Sequence, residues 1–148
     1  MYELKREQLV DKPAEDLFTF FSKAENLSKI TPSGMGFQML TPLPVEMKEG
    51  TVLDYVVHIA GFPVRWTTLI THCKPPNKFV DIQLKGPYSY WHHTHSFIST
   101  DGGTLVIDEV RYAIPLGIMG RIVHGLFVKR QLKKIFDYRS EAIKRIFS

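Results

Sequence analysis

Three histidines, two aspartates and a set of aromatics crowd into one stretch, Gly86 to Pro115, reading GPYSYWHHTHSFISTDGGTLVIDEVRYAIP. The stretch reads as two long strands joined at Asp101-Gly102-Gly103. If Asp101-Gly102 is a two-residue hairpin turn, Thr100 faces Gly103. His95 then faces Asp108, His93 faces Val110 and Trp91 faces Tyr112, all on the side that carries Phe97 and Val106. A three-residue turn would shift the register and destroy this arrangement. His95 opposite Asp108 is a candidate general acid/base pair, the carboxylate orienting the imidazole. The same pair also suits a purely structural role, as a satisfied buried contact that holds the hairpin. A third chemistry is metal ligation through His93, His95 and Asp108, with water completing the shell. No metal is expected in preference to the first two.

Arg139 lies inside an apolar stripe of the last predicted helix. A buried guanidinium needs a counter-charge, and Asp81 and Asp108 are the inward carboxylates. Its role is either an internal ion pair between helix and sheet or a grip on a ligand carboxylate or phosphate. Tyr55, Trp66, Phe79, Trp91, Phe97 and Tyr112 share the inward parity of their strands. With polar residues interleaved among them, they read as the walls of a cavity rather than as plain core.

The elements that must position these groups follow from periodicity. Tyr2–Val10 alternates as a first strand, and Pro13 opens a helix with Leu17, Phe18, Phe20 and Phe21 on its stripe. A second short helix covers Ala24–Ile30. Six further strands are expected at 37–40, 51–59, 64–73, 78–84, 88–100 and 103–114, separated by Gly- and Pro-rich turns too short for crossover helices. The sheet is therefore antiparallel. A long helix fills the remainder, and curling the sheet around it buries both. Met119, Ile122, Val123 and Leu126 share one helix face, whereas Val128, Leu132, Ile135, Ala142, Ile143 and Ile146 share another, roughly opposite. One straight helix cannot bury both, so a kink or break is expected between Gly120 and Lys129, with Gly120 and Gly125 as weak points.

Composition sets outer bounds. At 148 residues the chain is expected to form a single domain over 1–148. One cysteine, Cys73, excludes an internal disulfide framework and is read as a bystander. The N-terminus has no apolar run of signal-peptide length, and a cytoplasmic location is expected. From Leu116 to Ser148 eight Lys or Arg stand against Asp137 and Glu141. This excess reads either as a solvated helix face or as a docking surface for an acidic partner or membrane. No nucleotide-binding glycine loop or nucleophile elbow is present, so redox, kinase and serine-hydrolase readings have no support.

The ensemble resembles the START-like, or SRPBCC, helix-grip superfamily, which includes the birch pollen allergen, polyketide cyclases and lipid-transfer domains. The residues that carry the resemblance begin with Pro13-Ala14-Glu15-Asp16-Leu17-Phe18, Asn26-Leu27 and Gly61-Phe62-Pro63-Val64-Arg65-Trp66. Phe79 with Asp81 and Gln83, Gly86-Pro87-Tyr88 and the Trp91–Phe97 run follow. Gly103-Thr104, Asp108, Tyr112-Ala113-Ile114-Pro115 and Tyr138-Arg139 complete it. The resemblance implies an α+β helix-grip fold: a curved seven-stranded antiparallel sheet wrapped around a long C-terminal helix, with two short helices after the first strand. It further implies an apolar cavity for a lipid, polyketide or other hydrophobic small molecule. The expected wall and anchor residues are Tyr55, Trp66, Phe79, Trp91, His93, His95, Phe97, Asp108, Tyr112 and Arg139. No cofactor, no nucleic-acid partner and no stable membrane insertion are expected. Two alternatives stand beside binding: a cyclase or dehydratase using His95 and Asp108, and an interaction module docking through the basic C-terminal helix.

Overall fold

The computed structural model describes residues 1–148. Its strands are β1 (Tyr2–Val10), β2 (Gln38–Met39), β3 (Val52–Ile59), β4 (Phe62–Lys74), β5 (Lys78–Lys85), β6 (Tyr90–Thr100) and β7 (Gly103–Ala113). They form one sheet in the order β1-β7-β6-β5-β4-β3-β2. Every pairing is antiparallel, as the short links demand. Register shifts between β4 and β5, at Thr67/Thr68 and Ile70/His72, bend the sheet where it must curl. Helix α1 (Ala14–Phe21) follows β1, and Ala24–Ile30 forms a 3-10 helix rather than an α-helix. This is the α+β helix-grip fold.

The chain ends in α2 (Gly117–Val123), a π-helical turn (His124–Val128) and α3 (Lys129–Ile146). The expected break is present, and it contains Gly125. Its consequence differs from the expectation. The α3 stripe is buried through Leu132, Phe136, Ala142 and Ile143, but Met119, Ile122, Val123 and Leu126 stay exposed. The π turn re-phases the helix so that α3 fills the groove. The groove ends where β7 ends, and α2 has no sheet left to cover it. Gly120 allows α2 to lie on that end, because a Cβ there would collide with the carbonyl of Pro115.

The core is split into two apolar clusters. One packs Leu17, Phe18 and Phe21 of α1 with Phe79, Phe97, Ala142 and Ile143. The other joins Trp91, Val110, Tyr112, Val128, Leu132 and Phe136. On β6, β7 and α3 the residues between the two clusters are polar: His93 and His95, Asp108, and Arg139. A polar layer therefore cuts across the hydrophobic interior. Fully burying one Leu or Phe stabilises by about 1.5–3 kcal/mol, so the two flanking clusters supply the force that keeps this layer buried.

Candidate functional site

The β6–β7 turn is the two-residue form. Thr100 pairs with Gly103, His95 with Asp108, His93 with Val110 and Trp91 with Tyr112. Opposition of backbones does not make the bond, however. The side chain of Asp108 accepts from His93 Nε2 at 2.8 Å, while His95 Nε2 donates to Asp81 Oδ2 on β5 at 2.5 Å. The nearest His95 approach to Asp108 is 3.5 Å. The anticipated His95–Asp108 hydrogen bond is thus replaced by two crossed pairs. The reason is that β5 pairs Asp81 with His93 in register, which leaves the Asp81 carboxylate within reach of the next inward imidazole.

Arg139 closes the layer from α3. Its Nε donates to Asp108 Oδ2 at 3.3 Å, and its Nη2 donates to Asp108 Oδ1 at 3.2 Å. Nη2 also reaches His95 Nδ1 at 3.2 Å. A guanidinium only donates, so Nδ1 must offer its lone pair and the His95 proton must sit on Nε2, toward Asp81. The two imidazoles stack at 3.6 Å between centroids, Phe79 stacks on His95 at 4.0 Å, and the guanidinium lies 4.9 Å over Phe21.

Burial pushes the His95 imidazole down to about 4, helped by the neighbouring His93 and Arg139 and opposed by Asp81. Burial would raise the Asp108 carboxyl, but Arg139 and the bond from His93 overcome it and hold it far below the usual carboxylate range. Burial would raise Asp81 as well, but the bond from His95 and the nearby His93 and Arg139 outweigh it and leave the carboxyl lowered. With His95 neutral, both carboxylates are ionised and Arg139 is the permanent cation between them.

Beside this layer lies a cavity of about 160 Å³ between the sheet and α3, its wall largely apolar. A dry apolar cavity of about 150 Å³ admits a benzene ring. Tyr55, Trp66, Phe79, Trp91, His93, His95 and Arg139 all stand on its wall. Phe97, Asp108 and Tyr112 do not. Phe97 is capped by Phe18 and Phe21 of α1, and Asp108 lies behind the imidazoles under Arg139. Tyr112 is taken by the other end of the helix, where its hydroxyl meets His124 Nε2 at 2.7 Å. The wall also includes Asp81, Tyr88 and Gln131, which the sequence reading did not place there. Trp66 carries a buried indole N–H with no acceptor. The sequence showed no grouping for His124, although its spacing of four from Val128 puts it on the buried helix face. It stacks on Tyr2 at 3.5 Å.

Asp81, His93 and His95 present ligand atoms within 4.8 Å of one another, a donor set of the two-histidine, one-carboxylate type. Asp108, expected as the third ligand, instead orients His93. The fit to a dication is poor as the groups stand. His95 Nε2 is spent on Asp81, and the Arg139 guanidinium would sit one imidazole away from the metal.

A sequence profile described as polyketide cyclase/dehydrase and lipid transport matches residues 10–136. No curated protein matches the sequence. Among solved structures, TTHA0849 of Thermus thermophilus aligns with a TM-score of 0.74 at 17% identity, covering 99% of this chain and 100% of its own. A START superfamily protein from Mycobacterium smegmatis aligns with a TM-score of 0.71 at 15% identity, covering 99% of each chain. The di-domain ARO/CYC protein StfQ of the steffimycin biosynthetic pathway aligns with a TM-score of 0.73 at 16% identity, over 98% of this chain and 50% of that one. At such identities these structures speak for the fold. The profile match spans most of the chain, and the chain belongs to the polyketide cyclase/dehydrase and lipid transport family.

Proposed function

We propose that the protein binds a small amphipathic molecule, a hydrophobic ring or chain carrying a hydroxyl, in the cavity between sheet and α3. One observation carries this reading: a largely apolar cavity abuts a fixed polar layer, with Asp81, His93, His95 and Arg139 on its wall. The groups without a full set of partners favour a donor. Asp81 keeps an oxygen outside its bond to His95, and His93 Nδ1 has no hydrogen bond, its nearest carboxylate being 3.8 Å away. Arg139 is already committed to Asp108 and His95, which weakens the case for a grip on a ligand carboxylate. The unpaired indole N–H of Trp66 adds a place for a carbonyl or ether oxygen.

The test is mass spectrometry of the protein under native conditions, followed by analysis of the denatured extract. A hydroxylated hydrophobic compound is expected from wild type. Val57→Phe, which fills the wall, should lose it, and Asp81→Asn should weaken it. A compound retained by Val57→Phe would place the ligand elsewhere and overturn the reading.

A cyclase or dehydratase is a second reading, favoured by the His93–Asp108 pair. Asp108 orients His93 through Nε2–H, leaving Nδ1 to accept a proton. In a dehydration Nδ1 would take the proton from the carbon next to a carbonyl. The neighbouring carbon would lose hydroxide, which takes that proton and leaves as water. General acid/base assistance is worth about 10²–10⁴-fold, so His93→Gln should lose turnover of the extracted compound by that factor while still binding it. Equal conversion by both proteins would dismiss the reading.

A further inference from the structure

An unexplained apolar surface lies at one end of the molecule. Leu116, Ile118 and Leu126, with Phe62 at the β3–β4 tip, are 71–77% exposed. Met119 and Ile122 lie between them and are also exposed. Phe62 pairs with Ile59, and Ile59 shares a second cavity with Leu116, Val123 and Phe127, which joins the hairpin tip to α2. Isolated apolar side chains on a surface need no account, but six gathered on one pole do.

Charge identifies what covers them. No Asp or Glu occurs from Tyr55 to Val80, from Ile82 to Thr100, or from Val110 to Phe136. The segments that build this pole therefore bring no acidic group, and Glu3, carried to the same end by the stacking of Tyr2 on His124, is paired with Arg111, while Lys85, Arg121, Lys129 and Arg130 are exposed. A two-fold dimer through the patch would set these cations against their own copies with no unpaired carboxylate to answer them. An anionic bilayer answers both features. Apolar side chains enter the acyl boundary, and the Lys and Arg stems reach back to the phosphates.

We propose that α2 and the β3–β4 tip form a docking face for an anionic membrane surface. The mode is interfacial, since no helix is long and apolar enough to cross. The face also lies over the cavity system. The second cavity, about 240 Å³, sits under α2 and shares Ile59, Tyr88 and Gln131 with the first. A bilayer bound here would meet the molecule at the end where those three side chains line both spaces. The docking face is independent of which ligand the inner cavity holds.

The test is flotation of the purified protein with vesicles of phosphatidylcholine alone and of phosphatidylcholine with phosphatidylglycerol in equal parts. Binding to the mixed vesicles is expected, weakening as salt is raised, with little binding to the neutral ones. Ile118→Asp with Leu126→Asp should weaken it by about tenfold or more, and Arg121→Glu with Arg130→Glu should do likewise. All four side chains are exposed, so an unchanged circular dichroism melt separates lost docking from lost folding. Equal binding by the Asp pair and wild type would overturn the proposal. So would sedimentation showing a wild-type dimer that the Asp pair converts to monomer, which would assign the patch to a second copy.

Discussion

Replacing Arg139 by Met tests whether the polar layer is held by charge. Met keeps the apolar stem and removes three hydrogen bonds of 3.2–3.3 Å, two to Asp108 and one to His95. Asp81 and Asp108 would then share a dry interior without a permanent cation. Removing one partner of a buried ion pair costs about 3–5 kcal/mol, a large part of a typical total stability of about 5–15 kcal/mol. That full cost is expected at about pH 8, read from urea midpoints. Acidification should shrink it. In wild type the guanidinium helps hold His95 down to about 4. Without that cation, and with two carboxylates nearby, the folded-state value rises. A raised value means that the folded variant binds a proton more readily, so the variant gains on wild type as pH falls toward about 5.5. Adding Asp108→Asn should recover about 1–3 kcal/mol of the loss, because it removes the charge that Arg139 answered. A single-variant cost below about 1 kcal/mol at about pH 8, or a deficit that grows on acidification, would refute the argument.

Wild type should itself lose stability as pH falls from about 6.5 to about 4, since the unfolded chain takes up the His95 proton that the folded protein refuses. The penalty approaches about 3 kcal/mol below that window, and a urea series in His95→Gln should be flatter there. Further acidification should remove the contributions of Asp81 and Asp108, whose lowered values place their loss below the ordinary carboxylate range. Tyr112→Phe deletes the 2.7 Å bond to His124 and should cost about 1 kcal/mol or slightly more in thermal melts, with ligand retention unchanged because Tyr112 is off the cavity wall. Gly103→Ala should cost about 2 kcal/mol or more by urea titration. The residue sits at φ 129°, and a Cβ would meet the Val10 carbonyl.

Much of the architecture was legible because strand parity and turn chemistry are local. The Asp101-Gly102 turn alone set which residues oppose one another on β6 and β7, and every expected pair is present. Pairing of side chains was not legible in the same way. His95 meets Asp81 rather than Asp108 because rings reach diagonally and β5 supplies a competing carboxylate, which parity on one hairpin cannot reveal. Inward parity likewise could not separate cavity from core. Phe97 and Trp91 share a face of β6, but α1 covers Phe97 and leaves Trp91 on the open side. For the final helix, the two stripes correctly implied a break. The hidden assumption was that each apolar stripe is buried, and α2 shows that it need not be.

The two-residue turn between β6 and β7 also constrains how this gene can change. Insertion of one codon between His95 and Asp108 would rotate either His93 and His95 or Asp108 to the outer face, according to which side of the insertion kept its pairing. Loop lengthening is usually tolerated at a solvent-exposed tip, and Asp101 and Gly102 are exposed. Here the tip is exposed but not free. Length drift in this hairpin is expected to proceed in steps of two, or with a compensating bulge, and the count of residues across it becomes a marker of whether a divergent copy keeps its polar layer.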